Sequence, residues 1–197
     1  MNKKVVVGIT GVLLVALFVA AAVIYNQKKA DEISSRARKK ASYLERDYSP
    51  TLGSPDAKVT IVEFYDPACE TCRAFHPFVK QMMAAHPGKI RLVHRYTPFH
   101  QGADVVVKML EAARLQNRYW DALEITFESQ PSWAAHHNPQ PERLWMYLGK
   151  LNLDMKKMNA DMASPEIASR IRQDMADARQ LQAVSYTHLT LPTNREV

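Results

Sequence analysis

The sequence predicts an α/β fold in which a strand–helix–strand unit is followed by a block of helices and preceded by one transmembrane helix. Three observations lead to this prediction. Residues Val59 to Tyr65 are mostly β-branched, aromatic or aliphatic, which is typical of a buried strand. From Thr71 onwards apolar residues recur at spacings of three and four, which indicates an amphipathic helix, and Lys89 to Tyr96 has the pattern of a second, parallel strand. Residues 101–182 then have helical patterns almost throughout.

The two cysteines of the chain, Cys69 and Cys72, stand where the first predicted strand passes into the first predicted helix. A helix N-terminus carries unpaired N–H groups and roughly half a positive charge, so it stabilises a thiolate and lowers the pKa of a cysteine. We therefore expect Cys69, the outer thiol, to be the nucleophile and Cys72 to resolve a mixed disulfide. The alternatives are a structural disulfide and a metal site, although zinc usually needs four ligands and no second Cys-x-x-Cys occurs in the sequence.

The segment around the cysteines resembles the thioredoxin superfamily, and within it the DsbA-like thiol–disulfide oxidoreductases. Residues 53–57, followed by 59–64, are similar to the chain that leads into the first sheet strand of that group. Pro77 stands where many thioredoxin-like active-site helices carry a kinking proline, and residues 119–123 resemble a run in the helical insertion of DsbA-like proteins. The resemblance implies a thioredoxin-like fold with a helical insertion, about 101–182, that covers the thiols and shapes a substrate groove.

The same resemblance places a buried acid at Glu63, six residues before Cys69, that takes or gives a proton beneath the thiols. The chemistry of exchange assigns this acid a similar role, because the second sulfur must lose a proton before it attacks, and a carboxyl group with a raised pKa can accept it. The alternative is a solvated glutamate on an edge strand. Its neighbours Val62 and Phe64 favour a strand that is buried on both faces.

Residues 5–25 form an uncharged, apolar run, long enough to cross a hydrocarbon core of roughly 30 Å at about 1.5 Å per residue. We assign residues 1–29 to a membrane anchor; a signal peptide cleaved near residues 20–22 is the alternative. The positive-inside rule would place the following domain in the cytoplasm, because most nearby basic residues come after the run. A short basic head is nevertheless typical of export, and a Cys-x-x-Cys pair is most useful where disulfides persist. We therefore expect a single-pass protein of the bacterial inner membrane whose domain faces the periplasm.

The remaining chain divides by composition into three segments. Residues 30–49 are polar and compatible with a helical stalk, and residues 50–182 form the predicted thioredoxin-like domain. Residues 183–197 differ in character from everything before them and resemble translated sequencing-adapter or vector sequence, so we expect a non-native tail. On this interpretation the C-terminal β-hairpin and helix of the fold are missing, and Pro192 is not assigned to a cis-proline loop.

The function predicted from these features is disulfide exchange with protein substrates through Cys69 and Cys72, by a membrane-anchored oxidoreductase outside the cytoplasm. It requires no cofactor and implies a membrane redox partner, while its direction, oxidising or reducing, stays open. Glu70, an acid between the thiols, predicts a weaker oxidant than a protein with histidine at that position. The net charge of +6 is modest and comes partly from basic residues near the membrane, so no nucleic-acid partner is predicted.

An alternative function is a thioredoxin-like module that binds copper or another soft metal through the cysteines and nearby methionine or histidine. Met155, Met158 and Met162 fall on one face of a predicted helix, where core packing is the commoner role. The pair at residues 136–137, two histidines, lies in a proline-flanked segment that predicts a surface loop.

Overall fold

The computed structural model describes residues 41–135 and 138–183, the backbone of residues 189 and 190, and, ahead of these, residues 17, 18, 20, 23–29, 31 and 35. The chain divides into two compact units, Met1–Ser42 and Tyr43–Val197. In the first unit, residues 23–29 are helical and exposed. No helix within the described residues is long and apolar enough to cross a membrane. Most of the predicted span, residues 5–25, lies outside the described residues, so the anchor stays a prediction.

The second unit is an α/β domain around a four-stranded sheet of order β1–β3–β2–β4. The strands are β1 (Thr51–Leu52), β2 (Val59–Tyr65), β3 (Ile90–Tyr96) and β4 (Leu189–Thr190). The helices are α1 (Glu70–Ala85), α2 (Ala103–Arg114), α3 (Tyr119–Glu128), α4 (Gln130–Trp133), α5 (Leu144–Leu148), α6 (Met155–Asp161) and α7 (Pro165–Leu181), with 3-10 turns at Pro141–Arg143 and Gly149–Leu151. Of the two strands predicted from sequence, β2 has the predicted bounds, and β3 begins one residue later than predicted.

β2 and β3 are parallel neighbours joined through α1, which confirms the predicted strand–helix–strand unit. The loop between β1 and β2 passes close to the start of β3. Gly53 has φ +100°, and a Cβ atom there would lie 2.5 Å from the carbonyl oxygen of Ile90. A side chain at this position would therefore push the loop away from the sheet.

Two buried clusters cover the two faces of the central strands. The cluster that includes α1 consists of Ile61, Val79, Ile90 and Leu92. The cluster that includes α7 consists of Val62, Phe64, Val93, Ala178 and Ala183. β2 is thus buried on both faces, as its near-continuous apolar sequence predicts.

The helical block between β3 and β4 has a core of its own, and the two cysteines are part of it. Its fully buried members include Val106, Leu110, Leu123, Leu144 and Leu148. Two helices of the block begin at side-chain caps: the Asp154 carboxylate accepts hydrogen bonds from the first N–H groups of α6, and the Ser164 hydroxyl accepts one from α7. The helical character of residues 101–182 is therefore confirmed over the described part of that range.

A buried ionic cluster fastens α7 to the sheet. The guanidinium of Arg95, on β3, donates to Asp174 at 2.8 Å and to Asp177 at 2.6 Å. The same group donates to the carbonyl oxygens of Tyr43 and Leu44. Because Arg95 is fully buried, all of these contacts are needed to offset the loss of its hydration.

The far edge of β2 pairs with a segment that the sequence analysis left without structure. The backbone of Leu189–Thr190 forms β4, antiparallel to β2, with Val62 opposite Thr190 and Glu63 opposite Leu189. No strand was predicted for these residues, so β4 corrects the prediction. Residues 184–188 and 191–197, which include Pro192, lie outside the described residues, so the non-native tail and the missing hairpin stay predictions.

Candidate active site

Cys69 and Cys72 lie at the junction of β2 and α1, in the place that the sequence predicts. Cys69 is the N-cap residue of α1, and Cys72 lies in its first turn. Both are in the reduced thiol form. They are 6% and 4% exposed respectively, so the expected outer thiol is nearly as buried as its partner. The helical block contributes to the core that surrounds them, which explains this low exposure.

The pKa of Cys69 is lowered to about 6 from an ordinary value of 9.0. The largest cause is a hydrogen bond from the Cys72 thiol, and backbone N–H groups of Cys72 and Thr71 add to it. Burial and the negative charge of Asp66 oppose the shift. The helix N-terminus therefore stabilises the Cys69 thiolate, as predicted, but the neighbouring thiol contributes most.

The pKa of Cys72 is shifted in the opposite direction, well above its ordinary value. The hydrogen bond that its thiol donates to Cys69 is the largest cause, followed by burial and by the charges of Cys69 and Glu63. At neutral pH the pair therefore holds one proton, on Cys72. This asymmetry makes Cys69 the better nucleophile and leaves Cys72 in need of a base.

A buried carboxylate, Asp66, organises the loops on both sides of the thiols. Its Oδ1 accepts a hydrogen bond from the N–H of Ala68 at 2.8 Å. Its Oδ2 accepts from the N–H groups of Phe99 and His100 at 2.7 and 2.9 Å, and lies 2.8 Å from Nδ1 of the His100 ring. Asp66 thus joins the loop after β2 to the loop after β3, and its charge acts against the Cys69 thiolate.

Glu70, by contrast, is exposed in the first turn of α1. Glu70 was predicted to disfavour the Cys69 thiolate through its negative charge. The structure shows that Asp66 acts more strongly, because it is fully buried and its charge is not screened by water. The pKa of Cys69 is low even though Glu70 is close in sequence. The effect of Glu70 on oxidising power stays a prediction.

The helical block reaches the active-site loop through one amide side chain. Gln130, at the start of α4, is 1% exposed. Its Nε2 donates to the carbonyl oxygens of Pro67 at 2.8 Å and of Cys69 at 3.0 Å. These two bonds fix the backbone immediately before α1, and they tie the position of the first thiol to the insertion.

Glu63 lies on β2 with its side chain 12% exposed. In the parallel register it stands opposite His94 on β3, and its Oε2 lies 3.2 Å from His94 Nε2. Glu63 is also close enough to the thiols for its charge to raise the pKa of Cys72. The structure therefore brings the three predicted site residues into one region, although Glu63 contacts a histidine that sequence analysis did not select.

Three residues of this region were missed from sequence: Asp66, His94 and Gln130. A signal existed for His94, because β2 and β3 end at Tyr65 and Tyr96, and counting back two residues on each strand pairs Glu63 with His94. Gln130 lies 61 positions after Cys69, with which it shares a hydrogen bond, so no local pattern points to it.

The methionine group of the metal alternative is part of the core. Met158 is fully buried, and Met155 and Met162 pack against the same core, which agrees with the packing interpretation. The histidines at 136 and 137 lie outside the described residues. Among the described residues, no group of three or more histidine, cysteine, aspartate or glutamate side chains is arranged to hold a metal ion.

A comparison with protein families matches residues 45–187 to a family model described as Thioredoxin. Among curated proteins, the Na(+)/H(+) antiporter NhaA of Herminiimonas arsenicoxydans is 30% identical over 126 residues, which are 64% of this chain and 19% of that protein. The chain spans about a fifth of the length of the curated relatives it matches.

Solved structures show the same architecture. A thioredoxin-like oxidoreductase from Silicibacter pomeroyi DSS-3 is 27% identical with a TM-score of 0.66, and the match covers 77% of this chain and 84% of that chain. The alpha-DsbA1 of Wolbachia pipientis is 20% identical with a TM-score of 0.66, over 80% of this chain and 82% of that chain. The second likeness is one of fold.

Proposed function

The chain belongs to the thioredoxin family and has a DsbA-like fold, and from this premise we propose that it is a thiol–disulfide oxidoreductase that exchanges disulfides with protein substrates through Cys69 and Cys72. The observation that carries the proposal is the unequal protonation of the two thiols. Cys69 has a pKa of about 6 and Cys72 retains its proton. A structural cysteine pair has no need of such a difference, whereas exchange requires one ready nucleophile and one thiol held in reserve.

The reaction proceeds in two balanced steps when the dithiol acts on a substrate disulfide. The Cys69 thiolate attacks one substrate sulfur, a mixed disulfide forms, and the other substrate sulfur leaves as a thiolate that takes a proton from water. Cys72 then loses its proton, and its thiolate attacks the Cys69 sulfur. The Cys69–Cys72 bond forms as the bond to the substrate breaks, so two electrons pass to the substrate. The same steps in reverse oxidise a substrate dithiol.

Glu63 is proposed as the base of the second step. Support comes from its position on β2 and from the effect of its charge on the pKa of Cys72. The carboxylate takes the proton of Cys72 when the resolving attack begins, and it returns that proton in the reverse direction. Cys69 and Cys72 are the residues that exchange bonds, and no cofactor enters either step.

For the organisation of the chain, we propose that residues 50–182 carry the exchange chemistry. Residues 1–29 anchor it in the inner membrane, and residues 30–49 form the stalk. Residues 183–197 are of non-native origin in this proposal, although Ala183 and the backbone of Leu189–Thr190 pack with the domain. The apolar run at 5–25 supports the anchor. The need for stable disulfide substrates supports a periplasmic domain and a membrane redox partner.

The exchange reaction is tested with insulin reduction and with two matched variants of the full chain. Cys72→Ser should accumulate a mixed disulfide with substrate, because the first attack survives and resolution does not. Cys69→Ser should accumulate none. Equal trapping by both variants, or insulin reduction that survives Cys69→Ser, would show that the assignment of nucleophile and resolving thiol is wrong.

The location is tested separately in cells. A membrane-impermeant maleimide applied to spheroplasts should label Cys69 in the periplasmic orientation, and the protein should stay in the membrane after an alkaline carbonate wash. Labelling that requires lysis of the spheroplasts would place the domain in the cytoplasm, and release by carbonate would contradict the anchor.

A further inference from the structure

A polar network of buried side chains extends from Glu63 into the interior of the domain. Glu63 Oε2 lies 3.2 Å from His94 Nε2, and His94 Nδ1 lies 3.1 Å from the hydroxyl of Tyr119. The Tyr119 hydroxyl lies 2.8 Å from that of Tyr65, and either oxygen can be the donor. His94 is 1% exposed, and both tyrosines are buried. The four groups therefore form a continuous series of polar contacts that is largely shielded from bulk water.

The contact between Glu63 and His94 is incomplete as a hydrogen bond. Within the described residues, neither Glu63 Oε2 nor His94 Nε2 has a partner of normal hydrogen-bond geometry, although the two atoms lie 3.2 Å apart. Buried polar atoms without such partners are rare, and a catalytic role is one explanation for them. A small rotation of either side chain would let one proton between these atoms satisfy both of them.

We propose that His94, oriented by Tyr119 and Tyr65, is the proton partner of Glu63 during resolution of the mixed disulfide. This inference rests on the proposed exchange function and on Glu63 as the base that deprotonates Cys72. His94 does not touch the reacting sulfurs, so it acts as a positioning residue through Glu63.

His94 keeps one proton in both protonation states of Glu63. In the proposed arrangement this proton lies on Nδ1 and is donated to the Tyr119 hydroxyl, which donates in turn to Tyr65. Nε2 then has a lone pair near Glu63 Oε2. When Glu63 takes the proton of Cys72, it donates that proton to Nε2, and when the proton returns to Cys72, no proton lies between these two atoms.

Tyrosine suits this role because it stays neutral. Burial raises the pKa of Tyr119 and of Tyr65 well above the ordinary value of 10.0. Both hydroxyls therefore retain their protons at every pH at which the protein works. An ionised phenol would be a second base and would compete with Glu63 for the proton of Cys72.

The groups that face His94 come from two neighbouring elements. β2 contributes Glu63 and Tyr65, whose ring centroid lies 4.7 Å from that of His94. α3 contributes Tyr119 and Trp120, whose ring lies 4.9 Å away. Glu63 and His94 are the groups of this set between which the proposal places a proton, so the pH dependence of resolution should report this pair.

The test separates the two chemical steps in the full-length protein. A fluorescent cysteine peptide is attached to Cys69 as a mixed disulfide at low pH, and a pH jump starts its release, which measures only the attack by Cys72. The first step is measured as the attack of the reduced protein on the same peptide in disulfide form. Glu63→Gln, His94→Gln and Tyr119→Phe are compared with the unmodified sequence.

His94→Gln keeps a donor near the position of Nε2 but cannot carry a proton. It should slow peptide release by about tenfold or more, because general acid–base assistance contributes roughly 10²–10⁴-fold. The first attack should stay within about twofold, and the pH profile of release should lose one ionisation. A double variant with Glu63→Gln should be no slower than Glu63→Gln alone, since both residues act on one proton.

Tyr48→Phe is the matched control, because it also removes a tyrosine hydroxyl from a half-buried residue. That hydroxyl donates to Asp174 at 2.7 Å and is not part of the polar network around His94. It should leave peptide release unchanged, whereas Tyr119→Phe should slow it. Release by His94→Gln at the original rate overturns the inference and leaves the exchange function intact. Equal slowing of both steps assigns His94 a structural role and also overturns it. If the unmodified protein forms no mixed disulfide, the proposed function and this inference fall together.

Discussion

Replacement of Cys72 by alanine should raise the pKa of Cys69. The hydrogen bond from the Cys72 thiol is the largest cause of the low pKa, and alanine removes the donor. The backbone N–H groups of Cys72 and Thr71 remain, and burial continues to oppose ionisation. We therefore expect the pKa to rise from about 6 by roughly one to two units, without reaching its ordinary value.

The pKa of Cys69 sets how much of it is thiolate at neutral pH and how far this stabilises the reduced protein. With a pKa of about 6, Cys69 is about 90% thiolate at pH 7, against about 1% at the ordinary value of 9.0. This difference stabilises the folded, reduced protein by at most about 1.4 kcal/mol at pH 7, which corresponds to about 30 mV in reduction potential. Because the folded pKa is depressed, the stabilisation is complete above pH 9 and is lost as the pH falls through about 6.

The assay is thiolate absorbance near 240 nm, or the rate of iodoacetamide alkylation, measured from pH 4 to pH 10. Cys72→Ser is the matched control, because its hydroxyl still donates to Cys69, and its midpoint should lie closer to that of the original sequence. An alanine variant that still titrates at about 6 would show that the hydrogen bond from Cys72 is not the main cause of the low pKa. The helix N-terminus alone would then account for the thiolate.

Three further predictions concern the surroundings of the thiols. Asp66→Asn should lower the pKa of Cys69 further, because a charge that opposes the thiolate is removed, and alkylation at pH 5 should become faster. Gln130→Leu should lower the free energy of unfolding by about 1–3 kcal/mol, since two buried carbonyl groups lose their donor, as denaturant titration would measure. Arg95→Leu should cost about 3–5 kcal/mol by the same measurement, because it leaves the buried Asp174 carboxylate without its arginine and leaves Asp177 paired with Arg46 alone. The free energy of unfolding lost in Arg95→Leu should become smaller at low pH. The pKa of Asp177 is depressed in the folded protein, so the stability that its ionised form confers is lost as the pH falls through that pKa. A loss that does not depend on pH would contradict the ionic explanation.

The strand–helix–strand unit was predictable because each part has a local pattern. β2 is a run of apolar residues, α1 has helical spacing, and β3 ends at the tyrosine where its pattern ends. The position of Cys69 and Cys72 at the start of α1 was predictable because they lie in sequence between these two elements. A lowered pKa at Cys69 was expected, whereas its dominant cause, a hydrogen bond between the two side chains, requires coordinates.

Long-range contacts account for what the sequence did not predict. Gln130 and Asp66 act on loops that only the folded chain brings together, and nothing near them in sequence shows this. The fourth strand was missed for a different reason: Leu189–Thr190 is two residues long, too short for an alternating pattern, and its pairing depends on the open edge of β2. His94 lies between these cases, since the parallel register would have identified it.

The two hydrogen bonds of Gln130 have a consequence for engineering. A chimera that exchanges the helical insertion between relatives replaces the amide that donates to the carbonyl groups on either side of Ala68. Such a chimera would retain both cysteines and the sheet, but the loop that carries Cys69 would lose these two hydrogen bonds. Exchanged insertions should therefore alter thiol reactivity even where the new helices do not contact a substrate protein, unless they include a donor at the position of Gln130.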